Sequence, residues 1–278
     1  MNNEGFKYKI VIEAGKVHKT YLRDLWIYRE LFLFMAWRDI LVRYKQTIIG
    51  IAWSVIRPLL AMIIFTIIFG TLAKLPSDGA PYAVMVYCAM LPWQFFSNTL
   101  NEGGNSLVNN SNMISKVYFP RIIIPTSSMI VSLVDFIISL VILAIIMGFY
   151  MFIPSWKCFF IIPFLFLAIV VSLGVTYLIS ALNVKYRDFR YVLPFIIQFG
   201  LYISPVGFSS SIIPDKWRLI YSINPMVSVI DGFRWSIIGN SQIIYWPGFL
   251  ISSAVAIGLF FVGFAVFRRT EREFADVI

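Results

Sequence analysis

The feature that most constrains this chain is a series of six apolar stretches, each about long enough to cross a lipid bilayer. A helical crossing needs about 20 residues, because the hydrocarbon layer is about 30 Å thick and a helix rises about 1.5 Å per residue. The stretches cover residues 48–73, 82–100, 122–150, 158–183, 190–208 and 243–267. We therefore predict an all-α integral membrane protein with six transmembrane helices per subunit.

Composition argues in the same direction. Apolar residues make up 59% of the chain and charged residues 13%, whereas a soluble domain has about 45 to 50% and about 25%. The net charge of +9 would suit a nucleic-acid partner if the basic residues clustered on one water-exposed face. They lie instead in short polar gaps between the apolar stretches, so we expect membrane lipid around the chain and no nucleic acid.

The distribution of basic residues predicts the orientation. Placing the N-terminus inside puts seventeen Lys and Arg residues in cytoplasmic segments and five in outer segments, as short cytoplasmic loops retain positive charge. The N-terminus also lacks the apolar core and cleavage site of a secretory signal. We therefore expect a cytoplasmic segment at 1–46, a transmembrane domain at 47–267 and a cytoplasmic tail at 268–278, with both termini inside.

The segment from Asp24 to Gln46 has a helical pattern but is too charged to cross the membrane. We predict an amphipathic helix at the membrane interface. Its apolar stripe changes face near Ala36, which indicates either a bend there or burial of both faces against neighbouring spans. The charged residues of this interfacial helix are Arg29, Glu30, Arg38, Asp39, Arg43 and Lys45.

Residues 209–242, between the fifth and sixth stretches, predict two short helices. Asn224 followed by Pro225 is typical of an N-cap and a first helical residue, and Gly239 of a helix end. Neither helix is long enough to cross, and counting both as a seventh span would bury charges and place Arg268 outside. We favour a re-entrant hairpin on the outer side, at about 210–240.

Several kinds of chemistry lack raw material. The sequence has no phosphate-binding loop of the type that hydrolyses nucleotides. Enzymes that bind pyrophosphate through a metal need clustered acidic residues. Before the C-terminal tail, no two acidic residues of this chain lie within four positions of each other. His18 is the single histidine, and Cys88 and Cys158 suggest neither a disulfide nor a metal site. We expect a protein that is not an enzyme and holds no cofactor or metal.

Two ionisable residues lie near mid-depth of predicted spans, Arg57 and Asp135. Such groups mark a substrate or ion site by default, or else a structural pair that the two form with each other or with the backbone. We predict that they lie near each other. Four aromatic residues lie close to prolines and either pack in the core or line a channel in which their rings stack on sugars: Trp93, Phe95, Phe96 and Tyr202.

A set of short strings, in order along the chain, resembles the membrane subunit of ABC-type polysaccharide exporters, the family of O-antigen, capsule and teichoic-acid permeases. They lie within residues 28–59, 92–121 and 185–234. The most specific are Val42-Arg43-Tyr44-Lys45-Gln46-Thr47, Gly50-Ile51-Ala52-Trp53, Pro92-Trp93-Gln94-Phe95-Phe96, Lys116-Val117-Tyr118-Phe119-Pro120-Arg121, Lys185-Tyr186-Arg187-Asp188 and Ile223-Asn224-Pro225-Met226.

The resemblance implies a half-transporter of the bacterial inner membrane. Such a subunit forms a homodimer and pairs with two copies of a separate cytoplasmic ATPase, which binds the ATP and magnesium. Its substrate is a polyprenyl-linked polysaccharide, O-antigen being the nearest example. Capsular polysaccharide or teichoic acid is the alternative, followed by a lipid or drug exporter of the wider superfamily and an ion-coupled carrier.

The resemblance also implies roles for two segments. Residues 102–116 would form a coupling helix that contacts the ATPase, through Glu102, Asn105, Ser106, Leu107, Asn109, Asn110, Ile114 and Lys116. The outer hairpin would gate the channel exit, through Trp217, Asn224, Pro225 and Arg234.

Overall fold

A computed structural model describes residues 21–45, 48–77, 79–186, 188–239 and 244–274. These residues form helices and turns, without a strand, in agreement with the all-α prediction. The predictions that involve residues 1–20, Gln46, Thr47, Arg187, residues 240–243 and residues 275–278 lie outside the described part of the chain.

The N-terminal part consists of helix α1, Tyr21–Ile27, and helix α2, Arg29–Lys45. The helix is interrupted at Tyr28, whereas α2 continues through Ala36 as one helix, so a break at Ala36 is not observed. Ala36 is instead buried with Met35, while Leu33 and Trp37 are exposed on the other side of α2. One side of α2 packs against the helix bundle and the other side is exposed, so burial of both faces is not observed either.

Helix α3, Ile48–Phe65, continues as a π-helical segment, Thr66–Leu72. Helix α4 runs from Tyr82 to Asn109 without a break and is followed by the short helix α5, Ser111–Ile114. The sequence predicted a span at 82–100 and a separate coupling helix at 102–116. This division is corrected: residues 102–109 are the last turns of α4, because small residues there let the helix continue between its neighbours.

The next three helices are α6, Ile123–Phe149, α7, Ile161–Lys185, and α8, Phe189–Ile203. A 3-10 turn, Trp156–Phe160, leads into α7, with the Ser155 hydroxyl accepting the Lys157 N–H at its start. Helix α8 is shorter than the predicted stretch at 190–208, since Ser204 is extended before Pro205. Its length of about 22 Å is less than the hydrocarbon thickness.

The C-terminal part has a 3-10 turn, Ser210–Ile212, and helices α9, Asp215–Tyr221, α10, Pro225–Ile238, and α11, Trp246–Thr270. The predicted start and end of α10 are confirmed. The Asn224 side chain accepts the Met226 N–H at 3.0 Å, and Pro225 is the first helical residue. Gly239 ends the helix with φ of +94°, a conformation that favours glycine.

Helix α4 lies at the centre and contacts α3, α6, α7, α8 and α10. Its residues from Ala83 to Phe96 are buried almost without interruption, as expected for a helix with neighbours on all sides. Four helical segments of the described chain are long and apolar enough to cross a membrane: Val55–Leu72, Ile123–Phe149, Trp156–Lys185 and Trp246–Thr270. The count of six spans stays a prediction.

Candidate functional site: a polar cleft between three helices

A cleft of about 470 Å³ lies between α2, the end of α4 and the start of α6. All of its lining residues except two valines are charged or polar. It thereby brings together two groups that the sequence indicated separately, the interfacial helix and the coupling segment. The lining consists of Arg38, Asp39, Val42, Arg43, Glu102, Ser106, Asn109, Asn110, Ser128 and Val131.

Contacts along α2 show how this cleft forms. The Tyr28 hydroxyl donates to the Tyr118 backbone carbonyl at 3.3 Å, and the Arg43 guanidinium reaches Asp135 at 2.8 Å. Tyr28 directly precedes α2 and Tyr118 precedes α6, whereas Arg43 and Asp135 lie within the two helices, so α2 lies alongside α6. Its last turn carries Arg43 about 18 Å beyond the start of α6, at 1.5 Å per residue.

Asp135 is the centre of a buried polar network next to the cleft. It is 6% exposed and forms its ion pair with Arg43. The Tyr44 hydroxyl donates to one carboxylate oxygen, and the Asn98 amide donates to the other at 3.4 Å. Arg43 also lies 3.7 Å from Glu102. The carboxylate is thus satisfied by groups from α2 and α4.

This arrangement corrects the pairing that we predicted. The cation that pairs with Asp135 is Arg43, whereas Arg57 is exposed on α3. The prediction considered only charges within apolar stretches and assigned Arg43 to the interface. The prediction therefore missed Arg43. This residue lies outside the apolar stretches in sequence, but α2 runs along α6 and brings Arg43 to the middle of α6, where Asp135 lies.

A second polar contact lies among the residues that line the cleft. The Arg38 guanidinium binds the Asp39 carboxylate at 2.7 Å and donates to the Asn110 side-chain oxygen at 3.1 Å. Asn110 lies between α4 and α5, so this contact ties α2 to the predicted coupling segment. The remaining residues of the interfacial set, Arg29, Glu30 and Lys45, are exposed.

The predicted coupling residues divide into two groups. Ser106, Leu107 and Ile114 are buried in the bundle, and the Ser106 hydroxyl donates to the Gly103 carbonyl at 2.6 Å. These three do not present a surface to a partner, because they lie on the side of α4 and α5 that packs inward. The exposed members are Glu102, Asn109 and Lys116, with Asn105 and Asn110 half-buried.

Asn183 on α7 is a residue that sequence reasoning missed. Its side-chain amide donates to the Gly104 carbonyl at 3.0 Å and to the Asn105 side-chain oxygen at 3.1 Å. It is 2% exposed and holds the end of α4 against α7. An amide among apolar residues near the end of a predicted span was the signal that could have identified it.

The aromatic candidates have two different environments. Trp93, Phe95 and Phe96 are buried in the core, with the Trp93 and Phe96 rings 5.4 Å apart. Tyr202 is 62% exposed. It belongs to an outward-facing aromatic stripe on α8, formed by residues three or four positions apart: Tyr191, Phe195, Phe199 and Tyr202.

The four hairpin residues are also divided. Trp217 is exposed, and Asn224 and Pro225 start α10 as described. Arg234 is 0% exposed, and its role in a gate stays a prediction. Its guanidinium donates to the carbonyls of Phe208 at 2.8 Å, Val206 at 3.0 Å and Met85 at 3.4 Å. It ties α10 to α4 and to the segment after α8.

Among the described residues, no three His, Cys, Asp or Glu side chains lie close enough together to hold a metal ion. The polar groups of the cleft are guanidinium, carboxylate, amide and hydroxyl groups that bond largely to one another. The cleft is therefore a preorganised polar region where three helices meet, with balanced charge.

Comparison with known proteins relates most of this chain to membrane transporters. The family described as ABC-2 type transporter matches residues 30–238. The O-antigen export system permease protein RfbA of Myxococcus xanthus is 25% identical over 259 residues, covering 92% of this chain and 98% of that protein. A protein of the same name from Klebsiella pneumoniae is 26% identical over 256 residues, covering 90% and 95%.

Proposed function

The chain belongs to the ABC-2 type transporter family, and from this premise we propose that it is the permease subunit of an O-antigen exporter. It would move a lipid-linked polysaccharide across the bacterial inner membrane. The observation that carries the proposal is the likeness to O-antigen export permeases over nearly the whole length of both chains. The likeness includes the α2, α4 and α6 segments that form the polar cleft.

The chemistry of the substrate requires a wet path through the membrane. A polyol chain that entered hydrocarbon would lose many hydrogen bonds to water, at a cost of about 2 to 7 kcal/mol for each polar group. The centre of one subunit is filled by α4 and its packed aromatic side chains. We therefore place the path between two copies of the chain, as a homodimer.

The aromatic stripe on α8 supports this arrangement. Phe195 and Phe199 have ring centroids 4.2 Å apart, and Tyr191 and Tyr202 extend the stripe toward both ends of the helix. Flat rings stack on the apolar faces of sugars without selecting one sugar sequence. We propose that this stripe faces the polysaccharide path, while the buried Trp93, Phe95 and Phe96 serve as core packing.

We further propose six spans with both termini in the cytoplasm. Helices α4 and α8 would complete the six, together with the four segments that are long and apolar enough on their own. Helix α4 can carry more polar residues than the other spans because other helices shield it from lipid. Helix α8 is too short to cross alone, and residues 204–207 would complete its crossing. The α9–α10 hairpin would then lie at the outer side as a gate.

The energy source is a separate ATPase in this proposal. The exposed face formed by Glu102, Asn109 and Lys116 would contact it, and two ATPase copies would bind ATP and magnesium. Closure of the ATPase dimer would move the end of α4 and, through Arg38 and Asn110, the adjoining helix α2.

Deletion of the gene tests the proposed function. We expect loss of O-polysaccharide from the cell surface and accumulation of polyprenyl-linked O-polysaccharide inside, both reversed by the full chain. Unchanged surface O-polysaccharide with loss of capsule or teichoic acid would assign one of these polymers instead. Normal amounts of all three, with altered lipid or drug efflux, would refute polysaccharide export.

A further inference from the structure

A single carboxylate, that of Glu271, joins three segments of the chain that are far apart in sequence. The backbone N–H of Arg121 donates to it at 2.7 Å. The Tyr21 hydroxyl donates to its two oxygens at 3.3 and 3.4 Å, and the Arg268 guanidinium lies 3.2 Å away. We name Tyr21, Arg121, Arg268 and Glu271 the tail junction.

Further contacts fix the tail junction in place. The Arg121 guanidinium donates to the backbone carbonyl of Glu271, so Arg121 and Glu271 contact each other twice. The Arg268 guanidinium lies over the Tyr21 ring at 3.4 Å from its centroid, which is a cation–π contact. The Glu271 side chain is only 12% exposed.

The three joined segments are the ones through which movement would pass. Arg121 follows the predicted coupling segment, which ends at Lys116, and precedes α6 by two residues. Tyr21 begins α1, which leads into α2 and the polar cleft. Glu271 follows α11, the helix that packs closely along α7. The junction therefore connects the coupling segment with both ends of the described chain.

Stability alone does not account for a carboxylate here. Burial raises the pKa of Glu271 above its ordinary value, although the Arg121 N–H and the Arg268 guanidinium act in the opposite direction. Its partners thus do not fully compensate for the loss of water. A buried ion pair of this kind is weak evidence for a stabilising role, and a neutral glutamine of the same shape would still accept the Arg121 N–H, through a weaker hydrogen bond.

We propose that Glu271 is a positioning residue that transmits movement of the coupling segment to α1 and α11 during export. This inference rests on the proposed function. The negative charge strengthens the hydrogen bond that the carboxylate accepts from the Arg121 backbone N–H and binds the Arg268 guanidinium, so the segment after α5 and the end of α11 move as one unit. Without the charge, the coupling segment would move while α11 lags behind.

The test compares Glu271→Gln with Glu273→Gln, a matched control two residues later whose side chain is exposed. Each variant of the full chain is expressed with the partner ATPase in the deletion strain. The amount of assembled complex, its ATP hydrolysis and the surface polysaccharide are measured. We expect Glu271→Gln to assemble and hydrolyse ATP normally but to export less per ATP, by about 5-fold or more, a typical coupling effect.

Three results would decide against the proposal. If the wild-type chain restores export and Glu271→Gln exports normally, the tail junction has only a structural role. A loss of export in proportion to lost complex would mean the same. If Glu271→Gln does not accumulate, Tyr21→Phe decides, since it removes one donor and keeps the ring; normal export per ATP by that variant overturns the proposal. Failure of the wild-type chain to restore polysaccharide would instead refute the proposed function.

Discussion

At the residue scale, Asp135 depends on partners from other helices. Its carboxylate is buried and is bound by Arg43, Tyr44 and Asn98. Removing one member of a buried ion pair costs about 3 to 5 kcal/mol, because it leaves the other charge uncompensated, whereas replacing both members by apolar groups can be neutral. The identity of the partner can therefore be tested by mutation.

We predict that Asp135→Leu alone and Arg43→Leu alone each lower the amount of folded protein and its thermal unfolding midpoint. The double variant Arg43→Leu with Asp135→Leu should recover part of the loss, because no lone charge remains. The measurement is fluorescence-detected size-exclusion chromatography of the detergent-extracted chain after heating.

The control is Arg57→Leu combined with Asp135→Leu. We expect this variant to be no more stable than Asp135→Leu alone, because the ion-pair partner of Asp135 is on α2. Recovery with Arg57→Leu and none with Arg43→Leu would restore the pairing that the sequence suggested.

The sequence identified Asp135 as a residue in need of a partner but assigned the wrong one. Burial of an acid in an apolar stretch can be predicted from local hydropathy. The choice between Arg43 and Arg57 depends on how α2 packs along α6, which is a tertiary property. Arg234 shows the same limit, since its three carbonyl acceptors come from two distant segments.

At the scale of elements, the crossing of α7 and α11 depends on two glycines. A side chain at Gly263 would overlap the Gly174 carbonyl oxygen, and one at Gly174 would meet the Phe260 backbone nitrogen at 2.6 Å. Small residues let helix backbones approach closely, which is a main source of packing energy between membrane helices.

We predict that Gly263→Ala forces α7 and α11 apart and lowers the thermal unfolding midpoint of the purified chain in detergent. The matched control is Gly258→Ala on the same helix, where an added Cβ meets no atom within 4 Å. That change should be neutral or stabilising by up to about 1 kcal/mol, the difference in helix propensity. Equal destabilisation by both variants would contradict the role of the crossing.

The coupling segment shows what sequence patterns predict about elements. Its polar composition and the cap of α10 at Asn224 were readable from the sequence, and the family resemblance implied a helix there. The boundary between span and coupling helix was not readable, because the apolar run ends at Leu100 although the helix continues through Gly103 and Gly104. In the fold they are positions where α4 packs closely against Thr176 and Ile179.

Exposure along this segment gives a prediction for the ATPase contact. Single cysteines at Glu102, Asn109 and Lys116 should crosslink to cysteines on the partner ATPase, whereas those at Ser106, Leu107 and Ile114 should not, because they are buried. The measurement is a gel shift after mild oxidation of membranes, with Cys158 replaced by serine. Crosslinks confined to residues 185–190 would move the contact to the α7–α8 connection.

At the scale of the whole molecule, the basic residues predict that both ends of the chain lie inside the cell. Reporter fusions after Lys16 and after Ile278 should both give cytoplasmic signals in intact cells. A C-terminal fusion with an outer signal would make the α9–α10 hairpin a true crossing and would remove it as a gate. A fusion after Lys74 serves as the control and should give an outer signal.

The proposed activity itself can be measured in inverted inner-membrane vesicles. Lipid-linked O-polysaccharide is presented on the outer, formerly cytoplasmic, surface, and a membrane-impermeant oxidant then destroys whatever has not entered the lumen. We predict protection that requires this chain, its partner ATPase and hydrolysable ATP together, and that disappears with a non-hydrolysable analogue. Equal protection in vesicles that lack the chain would contradict its role as the permease.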